Sequence, residues 1–372
     1  MSHIPAPAAI GDKLAEVDTP ALVLDLDAFD ANLNAVHHHV LERAVRLRAH
    51  GKAHKCSAIG LRQVAAGAIG LCCQKVGEAE VFVQAGIGDV LVSNVIVGLP
   101  KARRLAALAR TARVGVCVDS ALQVEQIAQA AREHQVSVDV LIEIDVGMGR
   151  CGVLDEAEAL ALATLIASHA PALKLRGLQA YHGRAQHMRT TAEQAVAIGK
   201  AAARAARMAS ALRDAGHRVE EITGGGTGTY PYEIASGVYT EVQPGSYVLM
   251  DGDYARNQPD PDSPLLTQAL GVLCSVITVR NTHAVLDGGL KTFAVDSGLP
   301  QPQLRGWSTR GLSDEHMVIE PASNAESLQV GQKIRVIPGH CDPTVNLHDW
   351  IVAVRGNRVE QVWPVDARGA LF

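Results

Sequence analysis

Apolar positions along the first two thirds of the chain alternate between two periods. Thr19-Pro20-Ala21-Leu22-Val23-Leu24-Asp25-Leu26 is a near-continuous apolar run and predicts a buried strand. Helical spacing follows from Asp27 to about Arg43, and Ala44-Val45-Arg46-Leu47 alternates as a second strand. Apolar runs at 69–73, 89–92, 114–118, 138–144, 175–180 and 219–222 continue the series. Helical stretches separate them, and the last run ends on Thr223-Gly224-Gly225-Gly226. Strands alternating with helices predict parallel pairing. Eight strands with seven linking helices fit a closed (β/α)8 barrel of the TIM type better than an open doubly wound sheet. A dinucleotide fold would carry its glycine fingerprint after the first strand. Here that strand runs into Asp25-Leu26-Asp27, and the glycines come at the eighth.

After about Ala255 the helical period fades. Asn257-Gln258-Pro259-Asp260-Pro261-Asp262-Ser263-Pro264 reads as a linker. Short alternating runs at 273–279, 284–287, 333–337 and 350–354 follow, divided by Gly and Asp/Asn turns. They predict a β-rich second domain. The expected division is a barrel over 18–255 and a second domain over 256–372. Residues 1–17 are a lead-in, expected to pack on the second domain.

Charge and cysteine usage narrow the class. There are 34 Lys and Arg against 39 Asp and Glu, a formal charge of −5, which gives no electrostatic reason to expect nucleic acid as a partner. No apolar run has transmembrane length. The start, Met1-Ser2-His3-Ile4-Pro5, lacks a basic segment followed by an apolar core, so no signal peptide is expected. Seven scattered cysteines read as reduced thiols of a cytoplasmic protein. His37-His38-His39 suggests a metal, but consecutive helical positions point in different directions and cannot share one ion.

Barrel enzymes collect their chemistry at the C-terminal ends of strands. Those ends carry Lys52, Gln74, Asn94, Asp119, Asp145 with nearby Arg150, Tyr181 with His182, and Gly224-Gly225-Gly226-Thr227-Gly228. Glycines there offer bare backbone N–H groups, and a phosphate commonly occupies that place. Taken alone, the glycines read equally as a tight turn and Lys52 as a surface charge. Together, an amine and a phosphate cradle at one barrel mouth favour pyridoxal phosphate held on a lysine.

With these residues in place, the chain resembles the fold-type III pyridoxal-phosphate enzymes, whose barrel is that of alanine racemase. Within them it is similar to the D-threonine aldolase and 3-hydroxy-D-aspartate aldolase family. The marks are His50-Gly51-Lys52-Ala53-His54-Lys55, Cys72-Cys73-Gln74-Lys75-Val76, the run from Glu143 through Asp145 and Arg150 to Gly152, Gln179-Ala180-Tyr181-His182-Gly183, Thr223–Gly228 and Gly339-His340-Cys341-Asp342-Pro343. They span nearly the whole chain.

The resemblance implies Lys52 as the Schiff-base lysine, with Lys55 competing from sequence. It implies Arg150 at the cofactor's phenolic oxygen, Tyr181 beside its ring, and Gly225, Gly226 and Thr227 around its phosphate, with Tyr254 nearby. It also implies a divalent cation on His340 and Asp342. On an extended segment His-x-Asp puts both side chains on one face. Mixed N/O ligation suits Mn²⁺, Mg²⁺ or Co²⁺, and leaves Zn²⁺ open. His187 matches the aldolase base, and Asp314 matches an acid that reaches the site.

The activity so implied is retro-aldol cleavage of a D-3-hydroxy-amino acid to glycine and an aldehyde, by a homodimer. The related dehydratases tend to carry His-x-Cys at the metal motif, so Asp342 leans toward the aldolases. A dehydratase of the D-serine or 3-hydroxyaspartate type is the nearest alternative. A racemase has no use for a metal at the β-hydroxyl, and a non-catalytic pyridoxal-phosphate carrier has no use for the second domain. No definite arginine for a second substrate carboxylate stands out in the sequence.

Overall fold

The computed structural model describes residues 4–372; Met1–His3, which open the lead-in and the expected signal-free start, lie outside the described residues. The barrel is present and closed. Its first strand runs in two pieces, Arg46–Leu47 and Ala49–His50. Leu71–Cys73, Asp89–Val95, Arg113–Val118, Val138–Glu143, Leu173–Gln179, Glu221–Gly224 and Glu241–Val242 follow in parallel. Glu241–Val242 pairs back onto Arg46–Leu47 and closes the ring.

The strand expected to open the barrel does not enter it. Ala21–Asp25 lies in the second sheet, antiparallel to Leu270–Val279 and parallel to Trp350–Arg355. A run that is apolar on both faces announces a central strand, and says nothing about which sheet receives it. The true eighth strand, Glu241–Val242, is two residues long and leaves no periodicity to read. The glycine turn therefore follows the seventh barrel strand, Glu221–Gly224.

Inside the barrel, Cys72, Leu91, Cys117 and Leu141 form one buried layer. At the N-terminal end of the strands Arg48 is buried between Glu241 (3.0 Å) and Asp89 (2.6 Å). This ion-paired floor leaves the opposite end free for chemistry.

The second domain is a mixed sheet with Ala21–Asp25 at its centre. Residues 4–17 run along its edge, where the Gly11 and Leu14 amides donate to the carbonyls of Val359 and Asn357, both at 2.9 Å. Between Lys333–Ile337 and Trp350–Arg355 the chain forms a short helix, Cys341–Val345, that packs against the Gly51–Ala53 turn of the barrel. That contact brings the second domain to the barrel mouth.

Candidate active site

Lys52 lies in a one-turn 3-10 helix, Gly51–Ala53, directly after the first barrel strand. His50 caps this turn, its Nδ1 accepting from the Lys52 amide at 3.4 Å, while its Nε2 meets Ser93 Oγ at 3.2 Å. Burial, helped by the charge of Lys52, holds the His50 imidazole well below its ordinary pKa, so the ring is neutral. Gly51 is required by close approach. A Cβ there would come within 2.6 Å of the Phe82 ring.

The Lys52 side chain enters a cavity of about 410 Å³. Arg150, Tyr181, His187, Gly226, Thr227 and Tyr254 line the same cavity. Gly225 stands behind them against Glu233. Lys55 takes another path. It is buried in an ion pair with Glu78 at 2.5 Å, on the far side of the turn.

The glycine turn is a cradle held from behind. The Gly228 amide donates to Gln186 Oε1 at 3.0 Å, and Gln186 Nε2 donates to Thr229 Oγ1 at 2.6 Å. A Cβ on Gly226 would meet Gln186 Oε1 at 2.6 Å. Thr227 Oγ1 is buried with no hydrogen-bond partner among the described residues. A hydroxyl left unpaired inside a protein calls for a group to complete it.

Arg150 stacks its guanidinium over the Tyr181 ring at 5.9 Å and stands 3.9 Å from Glu143. Burial pushes the Glu143 carboxyl up to about 7, and Arg150 only partly offsets that.

His187 belongs to a second 3-10 turn, Gly183–His187. Its Nδ1 bonds Asp253 Oδ2 at 2.5 Å, and its ring lies over Tyr254. Asp253 is itself fixed by Arg189 at 2.6 Å and by Arg256. Burial opposes the charge on Asp253, but these donors win and keep it below the usual carboxylate range. Nδ1 is thereby engaged, and Nε2 is the nitrogen left for chemistry.

The second domain supplies His340 and Asp342. Here the local structure differs from the expected extended segment. His340 is extended, but it caps the Cys341–Val345 helix, so Asp342 sits in the first helical turn. Pro343 in that first turn, where proline is tolerated, suits such a start. Asp342 Oδ2 lies 3.2 Å from Lys52 Nζ, and its Oδ1 accepts from Ser246 at 3.0 Å. Burial works against its charge, but the Lys52 ammonium and His340 outweigh it, and the carboxyl is held far below its ordinary pKa. The field of Asp342 in turn raises Lys52. His340 Nδ1 bonds Asp296 Oδ2 at 2.7 Å, which leaves Nε2 free. Asp251 bolts the two domains together here, accepting from the amides of Tyr254 and Cys341 at 2.9 and 2.8 Å. Asp314, in this single chain, is exposed on the second domain and does not line the cavity.

Asp253, Asp296, Asp251 and Gln186 escaped the sequence reading. Each acts at a distance of 40 or more residues from its partner, and no local spacing marks such pairs.

A barrel with a lysine and a glycine cradle at its mouth, joined to a β domain that adds a His/Asp pair, defines a two-domain enzyme of the alanine racemase type. Residues 24–253 match the family model of the alanine racemase N-terminal domain, and residues 269–354 match the model Putative serine dehydratase domain. The chain is 47% identical to D-threonine aldolase of Arthrobacter sp, covering 98% of this chain and 97% of that one. It is 42% identical to 3-hydroxy-D-aspartate aldolase of Paracoccus denitrificans, covering 98% and 95%. The crystal structure of D-threonine aldolase from Filomicrobium marinum superimposes with a TM-score of 0.96 at 44% identity, covering 99% of this chain and all of that one. The chain belongs to the alanine racemase N-terminal domain family and, within it, to the group that contains these aldolases. Membership implies pyridoxal phosphate as cofactor.

Proposed function

We propose that this protein is an aldehyde-lyase that cleaves D-3-hydroxy-amino acids to glycine and an aldehyde, using pyridoxal phosphate and a divalent cation. One observation carries the reading: a single cavity holds an amine, an imidazole aimed by a buried carboxylate, and a glycine cradle with an unspent hydroxyl.

The residues fit the cofactor. Lys52 would anchor it, Tyr181 and Arg150 would flank its ring, and Gly225, Gly226 and Thr227 would take its phosphate, with Tyr254 alongside. The lining contains three cationic side chains, Lys52, Arg150 and Arg184, and no carboxylate, which suits an anionic guest. When bound, pyridoxal phosphate supplies an electron sink for charge developing at Cα. The His340/Asp342 pair fits a cation as well. A ligand histidine normally donates its second ring N–H to a carboxylate, and Asp296 stands where that bond requires. Mn²⁺, Mg²⁺ or Co²⁺ suits the N/O pair and supplies Lewis acidity toward a hydroxyl. His187 then accepts the hydroxyl proton at Nε2, with Asp253 fixing the ring and stabilising the cation that forms. Tyr254, under the imidazole, holds the plane of that ring.

The match of residues 269–354 to the Putative serine dehydratase domain favours a second reading, loss of the hydroxyl with release of ammonia. Product analysis on D-threonine and D-3-hydroxyaspartate decides between them. Glycine with acetaldehyde or glyoxylate is expected. Ammonia with a keto acid would give the dehydratase, and no product with a bound cofactor would leave a carrier. Among the described residues no helix is long and apolar enough to cross a membrane, and all seven cysteines are free. A homodimer in the reducing cytoplasm completes the proposal.

A further inference from the structure

Arg184 has no role in the reading so far. It lines the active cavity, on the same 3-10 turn as His187. In such a turn residues three apart project from the same face, so the guanidinium of Arg184 and the imidazole of His187 share one side of the cavity. Every other cation around them is engaged. Lys52 pairs with Asp342, Arg150 stands against Glu143 and Tyr181, and Arg189 and Arg256 hold Asp253. Among the described residues Arg184 makes no ion pair, hydrogen bond or ring contact. Arg184 is exposed, so the open side of the cavity holds one uncommitted planar cation, beside the group assigned to the β-hydroxyl.

We infer that Arg184 binds the distal carboxylate of a dicarboxylic substrate, which makes D-3-hydroxyaspartate a preferred substrate over D-threonine. This rests on the aldolase reading above, because His187 marks the Cβ side of the cavity. A carboxyl on Cβ lies next to the hydroxyl that His187 addresses. Guanidinium is the side chain best matched to it, since two parallel N–H groups meet two oxygens. Removing that partner leaves the distal carboxylate unpaired in the cavity. The methyl group of threonine loses nothing comparable.

The test uses the holoenzyme with metal, in the parent, R184Q and R184K. The parent is expected to show the higher kcat/KM on D-3-hydroxyaspartate. R184Q should lower that value by about 10-fold more than it lowers the value for D-threonine, chiefly through KM. R184K should restore part of the difference. A readout apart from turnover comes from D-aspartate and D-alanine, which bind without a hydroxyl to cleave. Followed by the change in cofactor absorbance, D-aspartate should lose affinity in R184Q far more than D-alanine. Equal losses for mono- and dicarboxylates would place Arg184 at the α-carboxylate and overturn the inference. No loss for either would also overturn it. A parent that cleaves D-threonine but not D-3-hydroxyaspartate overturns the inference alone. A parent that cleaves neither overturns the aldolase reading along with it.

Discussion

Nδ1 of His187 lies 2.5 Å from Oδ2 of Asp253, and two arginines hold that carboxylate in place. The imidazole is thus oriented by a residue 66 positions away that does not itself line the cavity. His187→Ala should slow cleavage by about 10²–10⁴-fold. Asp253→Asn should slow it less, because the ring keeps its place but loses the charge behind it. Steady-state rates across pH check both. Near-parent turnover in His187→Ala removes it from the base role.

The two lysines of the first turn should part cleanly. Lys52→Ala should lose the cofactor absorbance band of the holoenzyme. Lys55→Ala should keep the band and lose stability, by about 3 kcal/mol or more, because Glu78 is left buried without its partner. Spectra and urea unfolding of the two variants decide the matter. A surviving band in Lys52→Ala would move the anchor elsewhere.

Chelation by EDTA should abolish activity, and added Mn²⁺ should restore it. Asp296→Ala should raise the metal concentration needed for half-restoration by about 10–100-fold, since it removes the carboxylate behind His340. A metal titration after chelation gives the number. Activity that persists in excess chelator would dismiss the His340/Asp342 assignment.

Glu233 is buried beneath the glycine cradle, and burial pushes its carboxyl up to about 8 despite a hydrogen bond from Thr229. The folded protein thus keeps a proton that the unfolded chain releases near 4.5. The stability gained from that proton is full below the unfolded value and is lost as pH rises through about 8. Glu233→Gln has no such proton to lose. Its stability should therefore gain on the parent as pH rises across that window, by an amount on the order of a few kcal/mol. Urea midpoints at several pH values test this, and parallel curves for the two proteins would refute it.

The barrel was legible because its strands are buried runs spaced by amphipathic helices, a pattern written locally. The destination of Ala21–Asp25 was not, because pairing partners near 270 and 352 leave no trace at 21. Lys52, Arg150, Tyr181 and the glycine turn could be collected in advance, since each ends a predicted strand. Thr227 could be placed there, but its unpartnered hydroxyl depends on what surrounds it in space. The motif points to Asp342 but not to its helical geometry, because a helix of five residues is too short to show a period. Arg184 was passed over for a related reason. Its distinction is the lack of any partner, and a sequence cannot display that.

The central place of Ala21–Asp25 in the second sheet also orders events during synthesis. This strand leaves the ribosome before the whole barrel and must wait for the segment at 270–273, then for that at 352–354, before its ladder is complete. The barrel between them has all of its strands by Val242. Until those segments emerge, Ala21 and Val23 lack Leu273, Val352 and Val354, the side chains they pack against in the finished sheet, and that interval is when the nascent chain has most need of a chaperone.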